Sequence, residues 1–256
     1  MANRRNDDVV EDCLKTIYTV GEWDPAARTV TEIAARMRAS TSTTSALVRR
    51  LAADGLVEHE PYGDVALSPA GLARALRVVR RHRLIETFLV EHLHYSWDEV
   101  HDEAEVLEHT ISDLMLDRID AAIGHPWRDP HGDAIPTTDG VLHLPEARPL
   151  AELEPGESGH VVRILDDSPD LLRWLVDRRV GLDLAVEVVE RQGFAGTVTV
   201  RLGDRAETLD VGLQAADALW VGPDLPWAAA GPDGCHYPRC HRIGAPADAG
   251  VAGSQL

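Results

Sequence analysis

The chain has 256 residues, 44% of them hydrophobic and 27% charged, with a formal net charge of −18. That length predicts two or three small domains, and so large an acid excess excludes free, non-specific nucleic-acid binding through a generally basic surface. There is no run of about 18 apolar residues to cross a membrane and no apolar stretch of the secretory type near the N-terminus, while three cysteines (Cys13, Cys235, Cys240) fit a reducing cytoplasm better than a disulfide scaffold.

Residues 7–22 read as a helix with Val9, Val10, Cys13, Leu14 and Ile17 as its apolar stripe, broken by Gly21 and Asp24-Pro25. A short helix over 29–37 follows, with Thr31 near its cap. After the polar turn at 38–41, a longer helix runs over 42–54 and stops at Gly55. Its inner face is expected at Ala46, Leu47 and Leu51. Two short strands, 56–60 and 64–67, flank Pro61-Tyr62-Gly63 as a hairpin. Short helix, turn, longer helix and hairpin together spell a winged helix-turn-helix. Ser40, Ser42, Thr43 and Ser45 open the second helix, and Arg49 and Arg50 follow one to two turns later. Small hydroxyls reach base edges and arginines take phosphates; with Thr31 these residues form the candidate DNA-facing set. The competing reading, a helical hairpin whose Ser/Thr run only caps a helix, leaves the wing and the paired arginines unexplained.

Pro69 opens a long helix reaching about residue 95, a position where proline is tolerated. Residues 98–123 read as one further helix, with Val100, Ala104, Leu107, Ile111, Met115 and Ile119 inward. Leu84, Ile85, Phe88, Leu89, Leu114 and Ile123 exceed what two helices bury, so part of this surface is expected to close a homodimer. Residues 124–149 read as loop and linker. Then 161–165, 185–189, 197–201 and 218–221 are short β runs around an amphipathic helix at 169–179, which predicts a small β-barrel with Trp174 in its core. After Gly222 the chain is rich in Pro, Gly and Ala and is expected to be mobile; its Cys235, Cys240, His236 and His241 lack a standard zinc spacing. The expected fold class is therefore a mainly α N-terminal part, winged helix-turn-helix plus helical dimerisation domain, with a small all-β C-terminal barrel. The expected domains are 1–73, 74–145 and 150–222, with a tail over 223–256.

The long helices carry the chemistry. His82 and Glu86 share one face of the first. On the second, His101, Glu105, Glu108 and His109 fall within about 100°. Such a density of imidazoles and carboxylates needs solvent or a bridging cation. Asp102 and Glu103 read as solvated. Asp12 on the first helix could join Glu105, Glu108 and His109 if that helix packs on the bundle, which gives three carboxylates and an imidazole. His82, Glu86 and His101 would form a second site. Hard oxygen donors without thiolate suit manganese, though raw affinity still follows the general divalent order.

At these residues the chain resembles the diphtheria toxin repressor family of metal-dependent transcription regulators, and in particular its manganese-responsive branch. The resemblance is carried by Leu14-Lys-Thr-Ile-Tyr18, Ser42-Thr-Thr-Ser45, Leu51-Ala-Ala-Asp-Gly-Leu-Val57, Leu67-Ser-Pro-Ala-Gly71, Arg80-Arg-His-Arg-Leu-Ile-Glu86, Val100-His-Asp-Glu-Ala-Glu105 with Glu108-His109, and Asp129-Pro-His-Gly-Asp-Ala-Ile-Pro136. Residues 150–222 are similar to the family's SH3-like domain. The resemblance implies a regulatory metal site at Asp12, Glu105, Glu108 and His109 and an ancillary site at His82, Glu86 and His101. Asp12 and Glu105 stand where iron-responsive members have Met and Cys, which implies Mn(II), with Fe(II) as the alternative. Lys15 stands where some two-domain manganese sensors have a further carboxylate, so their binuclear geometry is not carried over. The SH3-like domain of three-domain members adds ancillary ligands, and Asp167 and Asp170 are the nearest acidic candidates. The family also implies a homodimer that binds a palindromic operator when metal fixes the spacing of its recognition helices.

Two other classes compete. A di-iron oxidase needs a Glu-x-x-His pair on each of two helices of a four-helix bundle, which this chain lacks. A winged-helix regulator answering to a small organic effector would need an apolar pocket in the β domain.

Overall fold

The computed structural model describes residues 2–23, 28–60, 63–223 and 240–242. The chain divides into two compact units, one made of residues 1–79, 136–142 and 241–256 and the other of 80–135 and 143–240.

In the first unit, α1 (Ala2–Trp23) begins earlier than the apolar pattern predicts. Val10, Cys13, Leu14 and Ile17 are buried, but Val9 is 45% exposed, so the stripe's edge is Val10. α2 (Val30–Arg36) is capped by Thr29, whose Oγ1 accepts the Glu32 N–H at 3.2 Å; Thr31 lies inside the helix. α3 (Thr41–Ala53) is capped by Ser40, whose Oγ accepts the Thr43 N–H at 3.1 Å. Gly55, at φ +71°, ends it in the left-handed conformation that glycine tolerates. The buried face of α3 is Thr44, Val48 and Leu51, spaced i, i+4, i+7, while Ala46 is exposed. Leu51 is buried as expected, and Leu47 is half-buried. β1 (Val57–His59) and β2 (Val65–Leu67) pair antiparallel, with Val57 opposite Leu67; the predicted turn residues Pro61 and Tyr62 lie outside the described residues. Ser68 then caps α4 (Pro69–Leu93), accepting the Gly71 N–H at 3.1 Å and donating to the Gly55 carbonyl at 2.7 Å.

From Arg80 onward α4 belongs to the second unit. The single helix expected over 98–123 is two, α5 (Val100–Leu107) and α6 (Asp113–Ala122). The break is chemical. Thr110 donates its hydroxyl to the Leu107 carbonyl at 3.1 Å, and Ser112 caps the new helix by accepting the Met115 N–H at 3.3 Å. Short hydroxyl side chains offer the backbone alternatives to continuing a helix. Ile85, Leu89, Val100 and Ala104 form the core here. Met115, expected inward, is 54% exposed, and Leu93, Val106 and Leu114 are exposed too. Leu84, Ile85 and Leu89 are buried within the chain itself and are not surplus.

The stretch read as linker contains β3 (Val141–His143) and β4 (Arg148–Pro149). β3 pairs with β10 (Cys240–Arg242), so three residues of the tail expected to be mobile form a strand; Cys235 lies outside the described residues. The β domain follows as β5 (Ser158–Ile164), α7 (Pro169–Asp177), β6 (Ala185–Gln192), β7 (Thr197–Leu202), β8 (Thr208–Gly212), α8 (Leu213–Asp217) and β9 (Leu219–Gly222). Its sheet is antiparallel in the order β4-β9-β5-β6-β7-β8. Register shifts at Val161/Arg163 and Val188/Glu190 bend the strands, as bulges do. Alternating residues such as Val161, Val188, Val198 and Val200 fill the interior with Leu172 and Leu175 of α7, and Trp174 packs half-buried against them. β8 and α8 were not foreseen. Among the described residues no helix is long and apolar enough to cross a membrane.

Candidate metal centre and nucleic-acid interface

Four elements of the second unit bring acidic and imidazole groups together. His82 and Glu86 project from one face of α4, and both are buried, Glu86 at 1% exposure. His101 and Glu105 share a face of α5. Glu108 ends α5 and is fully buried, while His109 lies in the turn beyond. His82 is the hub. Its Nδ1 is 2.6 Å from Glu108 Oε2, and its Nε2 is 2.9 Å from Glu86 Oε1 and 3.2 Å from His101 Nδ1. His101 Nδ1 also reaches Glu86 at 3.3 Å, its Nε2 lies 3.7 Å from Glu105, and His109 Nε2 is 3.4 Å from Glu108. Ligand atoms of His82, Glu86 and His101 lie within 4.8 Å of one another, as do those of His82, Glu105 and Glu108.

A third convergence was not foreseen. His131, in the loop after α6, is completely buried, and neither ring nitrogen has a hydrogen-bond partner. Its Nδ1 is 3.8 Å from Asp166 Oδ2, just past the end of β5, and the ligand atoms of Glu86, His131 and Asp166 lie within 4.8 Å. Buried polar atoms are rarely left unmade, because each costs about 1–3 kcal/mol. An imidazole beside two carboxylates with neither nitrogen hydrogen-bonded therefore fits a cation. The donors are carboxylate and imidazole only, which suits manganese or iron(II).

The electrostatics agree. Burial alone would raise the Glu86 pKa, but the charge on His82 and hydrogen bonds from His101 and His82 hold it well below the usual carboxylate range. For His131 burial works downward, yet Asp166, Asp129, Glu86 and Asp133 outweigh it and raise the imidazole above its usual value. Asp166 is raised by burial, against the opposing charge of His131. Asp129 is pushed up to about 8 by burial and by the neighbouring Asp133. These shifts favour the protonated forms of His131, Asp166 and Asp129 and the ionised form of Glu86 when no metal is bound.

Asp167 and Asp170, expected as further ligands, belong to none of these groups. Asp170 is 93% exposed and its Oδ1 takes a 2.6 Å bond from Arg173. Asp167 is also exposed. Asp12 is half-buried on α1, in the first unit. Its neighbour Cys13 is no thiolate donor, because burial, helped by the charge of Asp12, pushes its pKa up to about 12. The signal for His131 was the Pro-His-Gly stretch already singled out. The signal for Asp166 was its place just after a β run.

In the first unit the hydroxyl cluster opens α3. Ser40 Oγ lies 2.9 Å from Ser42 Oγ and 2.8 Å from Thr43 Oγ1, and Ser40, Ser42, Thr43, Thr31, Arg49 and Arg50 are exposed, with Ser45 half-buried. Arg50 Nη1 donates to Asn6 Oδ1 at 2.7 Å.

Comparison with known proteins accords with this geometry. Residues 7–65 match the iron dependent repressor N-terminal DNA binding domain, residues 68–137 the iron dependent repressor metal binding and dimerisation domain, and residues 148–223 the FeoA domain. The diphtheria toxin repressor of Corynebacterium diphtheriae is 30% identical over 196 residues, which is 73% of this chain and 86% of that protein. A solved structure of a manganese-dependent transcriptional repressor in complex with manganese is 47% identical with a TM-score of 0.80, covering 84% of this chain and 99% of that one. The manganese regulator SloR is 31% identical with a TM-score of 0.70, covering 84% of this chain and 98% of that one. The chain belongs to the diphtheria toxin repressor family of metal-dependent transcriptional repressors.

Proposed function

We propose that this protein is a cytoplasmic, non-enzymatic, manganese-activated repressor that binds a palindromic operator as a homodimer. The observation that carries the metal reading is the buried His131 imidazole, unsatisfied at both nitrogens between Glu86 and Asp166. The first metal position is assigned to Asp12, Glu105, Glu108 and His109 by the family resemblance, and the second to His82, Glu86 and His101. His131 and Asp166 extend the second through Glu86, in place of Asp167 or Asp170. A divalent cation at either position would supply positive charge to the donors of that position, and it would offset local acid in a chain of net charge −18.

The protein's own residues do the rest. α4 follows the wing directly and carries His82 and Glu86, so ordering those side chains acts on the helix that leaves the DNA-binding part. Ser42, Thr43 and Ser45 are assigned to base edges or backbone, with Thr31, Ser40, Arg49 and Arg50 beside them. Residues 1–73, 74–145 and 150–222 are the working division into reading, sensing and SH3-like parts. A second reading, response to iron(II), is favoured by the family profiles, which are named for iron-dependent repressors. Calorimetric titration of metal-free protein with Mn(II), Fe(II) and Zn(II), followed by operator binding for each, separates them. Manganese should give the tightest operator complex at metal levels that saturate only specific sites. A larger response to iron(II) would favour the second reading.

A further inference from the structure

The three donors of the Glu86, His131 and Asp166 group come from three separate elements: α4, the loop after α6, and the segment following β5. A chain of buried ion pairs crosses the same three elements. Arg83 of α4, 4% exposed, donates Nη1 to the Ala134 carbonyl at 2.6 Å, and its Nη2 lies 3.3 Å from Asp133 Oδ2. From the opposite side Arg163 of β5, 6% exposed, donates Nε to Asp133 Oδ1. Asp133 is therefore held between two guanidiniums, which keep its carboxyl ionised against burial.

The spacing is regular. Arg83 precedes Glu86 by three positions on one helix face, Arg163 precedes Asp166 by three, and Asp133 follows His131 by two. The loop has little freedom left. Asp129 Oδ1 accepts the N–H groups of His131 and Asp133, both at 2.9 Å, and the Ile164 N–H donates to the His131 carbonyl at 2.8 Å. Gly132 lies so close to β5 that a Cβ there would sit 2.1 Å from the Val162 carbonyl oxygen.

We propose that Arg163 and Asp133 are positioning residues for the second metal site. Neither belongs to a group of metal-donor residues. They fix the distance between α4, the His131 loop and the end of β5, and so pre-set the gap among Glu86, His131 and Asp166. Supporting groups of this kind change metal affinity by about 10–100-fold when removed. The inference rests on the metal reading above, and the test keeps the two apart.

The variants are Arg163→Lys, the paired Arg163→Met with Asp133→Asn, and Asp166→Ala. The pair is used because removing Arg163 or Asp133 alone strands a buried charge and can unfold the protein, whereas in the pair Arg83 keeps Asp129 at 3.6 Å and the Ala134 carbonyl at 2.6 Å. Full-length metal-free protein is titrated with Mn(II), and free ion is read by its electron paramagnetic resonance signal. Amide hydrogen exchange of the metal-free protein follows His131 and Asp133. The paired variant should keep its first manganese equivalent, weaken the later one about 10–100-fold, and exchange faster at those two amides. Arg163→Lys should recover part of both. Asp166→Ala should lose the later equivalent without faster exchange. If Asp166→Ala binds manganese as the parent does, the metal site itself is wrong. If Asp166→Ala loses the equivalent and the paired variant keeps parental affinity, the positioning role is overturned. Loss of every equivalent together with a collapse in thermal stability would make the pair a general structural tie, which also overturns it.

Discussion

Asp129 offers a quantitative check on the buried acid cluster. It is 4% exposed, its Oδ1 accepts two backbone N–H groups, and its pKa is pushed to about 8 from an ordinary 3.8. Between those values the unfolded chain has released this proton and the folded chain still holds it. Stability then falls as pH rises, by about 1.4 kcal/mol per unit. From pH 5 to pH 8 the loss approaches a ceiling of about 4 kcal/mol, lowered in practice because Asp133 and Arg83 adjust with it. Asp129→Asn resembles the protonated acid and keeps an oxygen for the two N–H groups, so it should escape this loss. Denaturant unfolding of metal-free parent and variant at pH 5, 6, 7 and 8 measures the difference directly. The variant should gain on the parent steadily across the series, by a few kcal/mol at the top. A difference that stays flat would show that Asp129 ionises normally and that the cluster is not a store of protons.

Other outcomes follow from single positions. Gly132→Ala places a Cβ at φ +93° against the Val162 carbonyl; backbone strain of about 1–3 kcal/mol, added to that overlap, should lower the melting temperature by several degrees, and an unchanged melting point would contradict the packing of this loop. Asp12→Met combined with Glu105→Cys should move the metal response toward iron(II) in operator-binding titrations; an unchanged preference would place selectivity in other residues. Arg49→Ala should weaken operator binding about equally for matched and mismatched sequences and reduce the salt dependence by about one phosphate contact; a sequence-dependent loss would make Arg49 a base reader.

Local signals carried well where one side chain decides an element. Gly55 ended α3 as expected, and the serine and threonine run before it marked a cap, although Thr29 and not Thr31 capped the shorter helix. His82, Glu86, His101, Glu105 and Glu108 could be gathered from helical spacing alone because i, i+3 and i+4 neighbours share a face. Elements that depend on distant partners were harder. The break between α5 and α6 turns on two hydroxyls, Thr110 and Ser112, inside an otherwise continuous apolar pattern. β8 alternates, with Leu209 and Val211 inward, but it spans only five residues, and β10 owes its existence to pairing with β3. His131 and Asp166 are 35 positions apart (166 minus 131), and only the closure of β5 against the loop brings them to Glu86. Spacing within one helix cannot reveal a donor supplied by another element.

We propose that metal binding makes this protein competent for DNA. Mobility-shift titration of an operator by the full-length protein tests it most directly, in three arms: with manganese, after chelation, and after manganese is restored. Tight binding should appear with manganese, vanish on chelation and return on restoration. Equal affinity in all three arms would contradict the claim.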